Sequence, residues 1–320
     1  MKYSFINKTD INAGKIVLGT DAFGSTMSEK DSFDMMDAFL FYGGNVLDTA
    51  SAYADWRSPV KSISEKTIGK WISERGCRDK VIIATKGGHP DCKCMDVLRL
   101  MHDDIVDDFN NSLRNLRTDR IDIYWLHRDD ESLSVDYIMD TLHDIYLTGG
   151  VRCFGVSNWK YERIVAANRY NAKKGYAPIV ASQIQYSVAS ANKCALMPGI
   201  IAMDDSEYKK YCADDLAMFA FSSQARGFFS LVNTLGADNI SESLKAEYIN
   251  ERNIAVSEKI KTLASEHEVD VSVIVTSSLI CDKNLNTFAQ IGTNKLSRLE
   301  DTMKTCDFIL TQQEIDWLKS

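Results

Sequence analysis

A single (β/α)8 barrel of α/β class, with extended loops at the C-terminal rim, is the fold that three observations in this sequence predict. Short apolar runs alternate with longer segments of helical periodicity, and such alternation implies a parallel sheet. Eight strand candidates favour closing that sheet over leaving it open. No Pro- or Gly-rich linker divides the 320 residues, so 1–320 is expected to form one domain. At a typical ~150 residues per domain, length alone would suggest two domains. Barrels with insertions run upward from ~250 residues, so one barrel fits equally well.

The strand candidates, in order, are Ile16–Leu18, Val46–Leu47, Val81–Ala84, Ile121–Leu126, Val151–Val156, Ile179–Ala181, Ala217–Phe221 and, more weakly, Thr287–Ile291. Most are continuously apolar rather than alternating, which suits strands buried on both faces. The first seven start roughly 27 to 40 residues apart, the size of a βα unit. Helical periodicity marks Lys30–Tyr42, Ser62–Arg75, Val106–Leu116, Val135–Leu147, Tyr161–Lys174 and the short Asp205–Cys212. A long insert, 223–286, precedes the last strand. It reads as irregular to about Ile249, then as helices over Glu251–Glu268 and Asp270–Ile280. Ser62 with Glu65, and Thr311 with Glu314, have capping-box spacing.

Composition removes several function classes. The chain is 45% hydrophobic and 26% charged, enough to pack a core and too apolar for disorder. Its net charge of −8 argues against a nucleic-acid binder, which needs a basic face. The eight cysteines are scattered and form no CxxC pair, so they read as reduced thiols. The first ten residues lack the apolar stretch of a signal peptide. No apolar run nears the ~18 residues of a membrane span. A cytoplasmic location without membrane contact is expected. Oligomeric state is not readable.

The chemistry sits where strands stop. The ends are Thr20-Asp21, Asp48-Thr49, Thr85-Lys86, His127-Arg128-Asp129-Asp130, Ser157-Asn158, Ser182-Gln183 and Ser222-Ser223-Gln224. In a barrel these converge on one rim, where catalytic groups gather. Polar strand ends also occur simply because chains must leave the core, and Ser157-Asn158 alone would serve as a helix cap. Ionisable residues at three successive ends, Asp48, Lys86 and His127, are harder to explain that way. Tyr53 follows Asp48 in the same loop. Asp48 would keep a buried Lys86 charged. A charge ~4 Å away at effective dielectric ~20 is worth about 4 kcal/mol, so Lys86 would draw the Tyr53 phenol down toward neutrality. His127 would orient a substrate oxygen. The set reads as a tuned general acid.

Rival chemistries find less support. GxGxxG and GxxxxGK[ST] phosphate cradles are missing. Cys92-x-Cys94 near His89 matches no common metal spacing, so no metal is expected. A Schiff-base aldolase on Lys86 needs a neutral amine, which a nearby carboxylate disfavours.

Taken jointly, the motifs resemble the aldo-keto reductase superfamily along nearly the whole chain. They are Val46-Leu47-Asp48-Thr49-Ala50-Ser51-Ala52-Tyr53, Ser64-Glu65-Lys66-Thr67-Ile68-Gly69, Ala84-Thr85-Lys86-Gly87-Gly88, Leu113-Arg114-Asn115-Leu116 through Asp122, Trp125-Leu126-His127-Arg128-Asp129-Asp130, Phe154-Gly155-Val156-Ser157-Asn158-Trp159, Ser182-Gln183-Ile184-Gln185-Tyr186 and Ile291-Gly292-Thr293-Asn294-Lys295. The His-Arg-Asp-Asp run, with Phe221 to Ser230, is similar to a bacterial subgroup linked with carbohydrate metabolism.

The resemblance implies a TIM barrel binding NADP(H) across the C-terminal rim. It implies the tetrad Asp48, Tyr53, Lys86 and His127, with Tyr53 giving the proton to a carbonyl oxygen. By the same resemblance Ser157, Asn158 and Gln183 would hold the carboxamide, and Phe221 would stack on the nicotinamide. Thr20 and Asp21 would touch the ribose side. Ser222, Gln224, Arg226 and Gly227 would line the pyrophosphate. Gly292, Thr293, Lys295, Arg298 and Asp301 would surround the adenosine end. Lys295 and Arg298, three apart on a helix, point the same way. Arg298 suits a phosphate, which favours NADPH. Thr302 and Gly292 depart from common family residues, which leaves NAD(H) open. Trp56, His89, Asp129 and Trp159 are the candidates to line a pocket for a small-molecule carbonyl substrate, a sugar among them. Asp129 and Asp130 serve equally well as loop caps. An alternative function on the same fold is a cofactor-sensing regulatory subunit with little turnover.

Overall fold

The computed structural model describes residues 1–320. It opens with a hairpin, β1 (Tyr3–Phe5) and β2 (Asn12–Gly14), ahead of the alternating elements. These run β3 (Ile16–Gly19), α1 (Glu29–Phe41), β4 (Val46–Asp48), α2 (Ile63–Arg75), β5 (Ile82–Gly87), α3 (His102–Leu116), β6 (Ile121–Leu126), α4 (Val135–Leu147), β7 (Val151–Ser157), α5 (Tyr161–Lys174), β8 (Ile179–Gln185), α6 (Asp205–Cys212) and β9 (Ala217–Phe221). Then come α7 (Phe228–Leu235), α8 (Glu242–Tyr248), α9 (Glu251–Glu266), α10 (Val271–Ile280), β10 (Thr287–Ile291), α11 (Leu296–Lys304) and α12 (Gln312–Lys319).

The eight strands β3 to β10 form a closed parallel barrel, with β10 pairing both β9 and β3. The fold class read from the sequence is therefore the observed one. Continuous apolar strands fit this arrangement, because one face fills the barrel and the other meets the helices. Inside lie Val17, Val46, Ile123, Trp125, Phe219 and Phe288, all fully buried. Phe219 and Phe288 stack with centroids 4.7 Å apart, and Trp125 meets Phe219 edge-on at 5.1 Å. Trp125 needs a bare backbone beside it. A Cβ on Gly155, its register partner, would come within 2.2 Å of the indole ring.

The hairpin was not foreseen in the sequence. Its Ile6, Ile11 and Ala13 pack into the same cluster as the barrel interior and close the end opposite the C-terminal rim of the strands. Nor is the insert irregular up to Ile249. It contains α7 and α8, whose Phe228, Phe229, Leu244 and Tyr248 join α9 and α10 in a separate apolar cluster. No helix is long and apolar enough to cross a membrane.

Capping came out unevenly. Thr311 and Glu314 form the full reciprocal box at α12. Ser62 does not cap α2. It takes a left-handed conformation (φ 54°) and makes no side-chain cap bond. Glu65 is instead drawn fully into the core, where it accepts from Thr85 Oγ1 at 2.6 Å and Asn115 Nδ2 at 2.9 Å. A buried carboxylate takes the strongest donors within reach. Here those lie on β5 and α3.

Candidate active site

Three rim positions are fixed by register. Asp48 ends β4 beside Ala84 of β5, and Lys86 lies two residues further along β5, beside Trp125 of β6. His127 follows β6 directly, with its backbone N–H donated to Gly87 O at 2.9 Å. The loop after β4 is pinned back over the strand, since Ser51 N donates to Lys86 O at 2.9 Å. That turn returns the Tyr53 side chain to the strand end. Asp48 is fully buried and Lys86 nearly so.

Lys86 Nζ is the hub. It forms an ion pair with Asp48 Oδ1 and donates to Thr49 O at 2.8 Å and to Tyr53 Oη at 2.9 Å. All three ammonium donors are thus engaged, which offsets the cost of burying the charge. Tyr53 Oη also lies 3.4 Å from Asp48 Oδ1. Two amides complete the carboxylate: Gln183 Nε2 reaches Asp48 Oδ2 at 2.8 Å, and Gln290 Nε2 reaches Oδ1 at 2.9 Å. Gln290 was missed in the sequence, although an amide between Ala289 and Ile291 of β10 was a usable signal. It passes over Gly19, where a Cβ would meet its Nε2 at 2.9 Å.

The electrostatics correct one expectation. Burial and the Asp48 carboxylate push the Tyr53 phenol well above its ordinary range. The sequence reading had Lys86 drawing it down toward neutrality. Asp48 cancels much of that pull, because both charges sit against the same hydroxyl. Burial also lowers Lys86, with Asp48 working against it. His127 is held well below its usual value by burial, His89, Lys86 and Arg128, so its imidazole is neutral. Its ring lies 5.8 Å from Tyr53 and 4.6 Å from His89, centroid to centroid, and its buried Nδ1 has no partner. His89 Nδ1 is 2.7 Å from Pro90 O, so that nitrogen carries its proton. The tetrad residues are thus side by side.

The other sequence candidates are distributed along the rim. The Thr20 hydroxyl is buried and donates to Asp48 O at 2.9 Å. Asp21 faces Arg57 at 3.6 Å. Ser157 and Asn158 are buried, and Asn158 (φ 57°) accepts from Ile201 N at 3.1 Å. Phe221 is half-buried at the end of β9. Gln224 donates to Thr276 Oγ1 at 2.9 Å, and Arg226 pairs with Glu247 at 3.0 Å. Ser222, Ala225, Arg226 and Gly227 all have positive φ, 51°, 47°, 55° and 83°. Such left-handed backbone curls into concavities that receive anions. Gly292 has open space around it, and Thr293 Oγ1 accepts from Lys295 N at 3.2 Å. Arg298 is exposed in the first turn of α11, whereas exposed Lys295 is the N-cap with extended backbone (φ −130°, ψ 126°), so the helical spacing expected of the pair is not formed. Asp301 pairs with Lys304 at 2.7 Å.

Among the substrate candidates, Trp56 is 48% exposed and Trp159 is fully buried. The Trp159 indole N–H donates to Arg128 O at 3.2 Å, and Arg163 lies over its ring. Asp129 is held by Arg163 Nε at 2.7 Å, an ion pair bent away from hydrogen-bond geometry. Asp130 accepts from Ser132 N at 3.0 Å and Ser132 Oγ at 2.6 Å. In this structure both acids brace the loop after β6. A polar cavity of about 410 Å³ lies behind His89, with Ser51, Asp55, Lys61 and Arg99 in its wall. A second, of about 370 Å³, lies beside Tyr186, Tyr208 and Arg252, and shares no residue with the tetrad.

Comparison with known proteins agrees with the geometry. Residues 15–320 match the model of the aldo/keto reductase family. The putative aryl-alcohol dehydrogenase AAD14 of Saccharomyces cerevisiae is 25% identical over 97% of this chain and 83% of its own length. The aldo-keto reductase ausK of Emericella nidulans is 28% identical over 98% of this chain and 78% of its own. The aldo-keto reductase YhdN of Bacillus subtilis reaches 37%, over 51% of this chain and 49% of its own. The crystal structure of a thermostable aldo-keto reductase, Tm1743, with the inhibitor epalrestat superposes with a TM-score of 0.73 at 19% identity, covering 100% of this chain and 99% of that one. Bacterial relatives are therefore among the matches, and none of them singles out the narrower subgroup. The chain belongs to the aldo/keto reductase family, whose members are typically NADP(H)-linked oxidoreductases.

Proposed function

We propose that the chain reduces the carbonyl of an aldehyde, ketone or sugar to an alcohol with NADPH, Tyr53 acting as general acid. The observation that carries this reading is the Tyr53 hydroxyl 2.9 Å from Lys86 Nζ, with Lys86 locked onto Asp48. A phenol held above its ordinary range keeps its proton at neutral pH, which is the state an acid must start in. When the proton leaves, the charge develops beside an ammonium already in place. Such preorganised stabilisation costs no rearrangement at the moment of reaction. Neutral His127 has one N–H to give, and it orients the carbonyl oxygen beside Tyr53.

The fit to a dinucleotide rests on this chain's own features. Bound NADPH supplies the hydride. The segment Ser222–Gly227, left-handed at Ser222 and over Ala225–Gly227, would cradle the pyrophosphate. Lys295 and Arg298 would meet the 2′-phosphate, and Phe221 would stand against the nicotinamide. Thr20 and Gln183 already serve Asp48, so here they act as supports of the tetrad. One relative carries NADP(+) in its name, the aryl-alcohol dehydrogenase of Phanerodontia chrysosporium, and this is in keeping with that choice.

The test is NADPH consumption against aliphatic, aromatic and sugar carbonyls, run beside Tyr53→Phe. Wild type should turn over at least one class. The variant should lose about 10²–10⁴-fold in kcat while its NADPH Kd changes little. Tight NADPH binding without turnover on any class would instead mark a cofactor sensor.

A further inference from the structure

Resting on that reading, we propose that Arg128 is a specificity-determining residue, and that the preferred substrates carry an oxyanion, carboxylate or phosphate, near the carbonyl.

Charges at the mouth are paired. Asp48 is matched by Lys86, Asp21 by Arg57, Asp129 by Arg163 and Glu247 by Arg226. His127 and His89 are both pushed toward their neutral forms. Arg128 has no carboxylate partner. Its protein contact is Nη1 to Gly199 O at 3.0 Å, across to the loop after β8. A guanidinium has five N–H donors and does not lose its proton in proteins, so most of its donors have no protein partner.

Position makes this cation functional rather than ornamental. It follows His127 in the chain and is only partly exposed. Its contact with Gly199 O, on the loop after β8, holds the guanidinium over the rim, and its charge is felt at His127, His89 and Tyr53. The neighbouring Asp129 offers no neutralisation, because Arg163 occupies it. The backbone beneath is braced by Trp159 and by Arg163, whose Nη2 donates to Asp130 O at 2.9 Å. The result is one positive charge without a carboxylate partner, on the rim that carries His127 and Tyr53. Guanidinium forks match carboxylate and phosphate geometry in pairs of hydrogen bonds. Leaving such a group partly desolvated and unpaired is costly, and an anionic substrate removes that cost.

The experiment compares matched substrates with NADPH: succinic semialdehyde with butanal, and glyceraldehyde 3-phosphate with glyceraldehyde. Wild type should favour the anionic member of at least one pair at least tenfold in kcat/KM, and the responding pair identifies carboxylate or phosphate. In Arg128→Met that ratio should collapse toward one. Arg128→Lys should retain part of it, and added salt should lower it in wild type. Three results would overturn the proposal: a wild-type ratio near one in both pairs; equal losses on both members in Arg128→Met; or a rise in NADPH Kd that accounts for the whole effect. Should no carbonyl turn over, the proposed function fails on its own. Calorimetry of succinate and of inorganic phosphate with the NADP+-loaded chain then decides on Arg128. Binding lost in Arg128→Met upholds its role, and no binding to wild type removes it.

Discussion

In the proposed role, Tyr53 is under two opposed demands. As an acid it must hold its proton until a carbonyl arrives, and afterwards its phenolate must be tolerable. Burial and Asp48 serve the first demand by raising the phenol. Lys86, 2.9 Å away, serves the second. The sign of the pH dependence follows. Because the protonated form persists to high pH, the kcat/KM for reduction should stay level through neutrality and fall only in the alkaline range. Alcohol oxidation needs the phenolate as base, so its kcat/KM should rise with pH over the same range. Lys86→Met leaves the phenolate beside Asp48 without its cation, so it should lower kcat/KM in both directions and move the alkaline break in both profiles to higher pH. Paired pH profiles in both directions check this. A reduction profile that already declines near pH 7 would count against the assignment. Asp48, Tyr53, Lys86 and His127 were legible because ionisable groups at successive strand ends are hard to explain otherwise. Gln290 and the service of Gln183 to Asp48 were not. Which side of a strand an amide faces, and what it meets there, depends on barrel closure.

At the scale of elements, α2 is held by a group that sequence spacing assigned elsewhere. Glu65 binds Thr85 on β5 and Asn115 on α3 from a fully buried position. It thereby joins two helices to the strand that carries Lys86. Glu65→Ala would leave both donors without a partner and open a void, at a cost of about 2–4 kcal/mol. The urea midpoint should fall accordingly, and Asn115→Ala should add little on top, because the two share one network. Additive losses would mean that the bond between them matters little. The exposed end of α11 makes a separate prediction. Arg298→Ala should weaken NADPH about tenfold or more while leaving NADH nearly unchanged, as for a lost charge-assisted contact; an unaltered ratio of the two affinities would remove Arg298 from the phosphate site. Short elements escaped the sequence. α7 and α8 span eight and seven residues inside a long insert, where no flanking strand marks them off, whereas the eight-residue α6 is legible between two strands. The barrel strands were legible because burial on both faces leaves an unbroken apolar run.

The whole molecule has two unlike ends. At the rim, charges converge on chemistry. At the opposite end, the hairpin closes the barrel, and Lys15 lies between hairpin and first barrel strand. Its Nζ donates to Asn286 Oδ1 at 2.7 Å and stands 4.8 Å from the centroid of the Phe288 ring, with no carboxylate bound. Burial lowers its pKa to about 8 from 10.5. The unfolded chain then holds this proton more tightly than the folded one, so the charge opposes folding. Below about pH 8 both states are protonated and the penalty is constant. Between that value and the unfolded value stability rises with pH, and above both the penalty is gone. Lys15→Met keeps the stem and removes the charge, so at pH 7 it should raise Tm by a few degrees, for a gain of about 1–3 kcal/mol. The gap between variant and wild type should shrink at pH 9.5. Thermal melts at the two pH values decide it. A Met variant that melts below wild type by the same margin at both would show that the bond to Asn286 outweighs desolvation. Activity should change little, because Lys15 lies at the end of the barrel away from Tyr53.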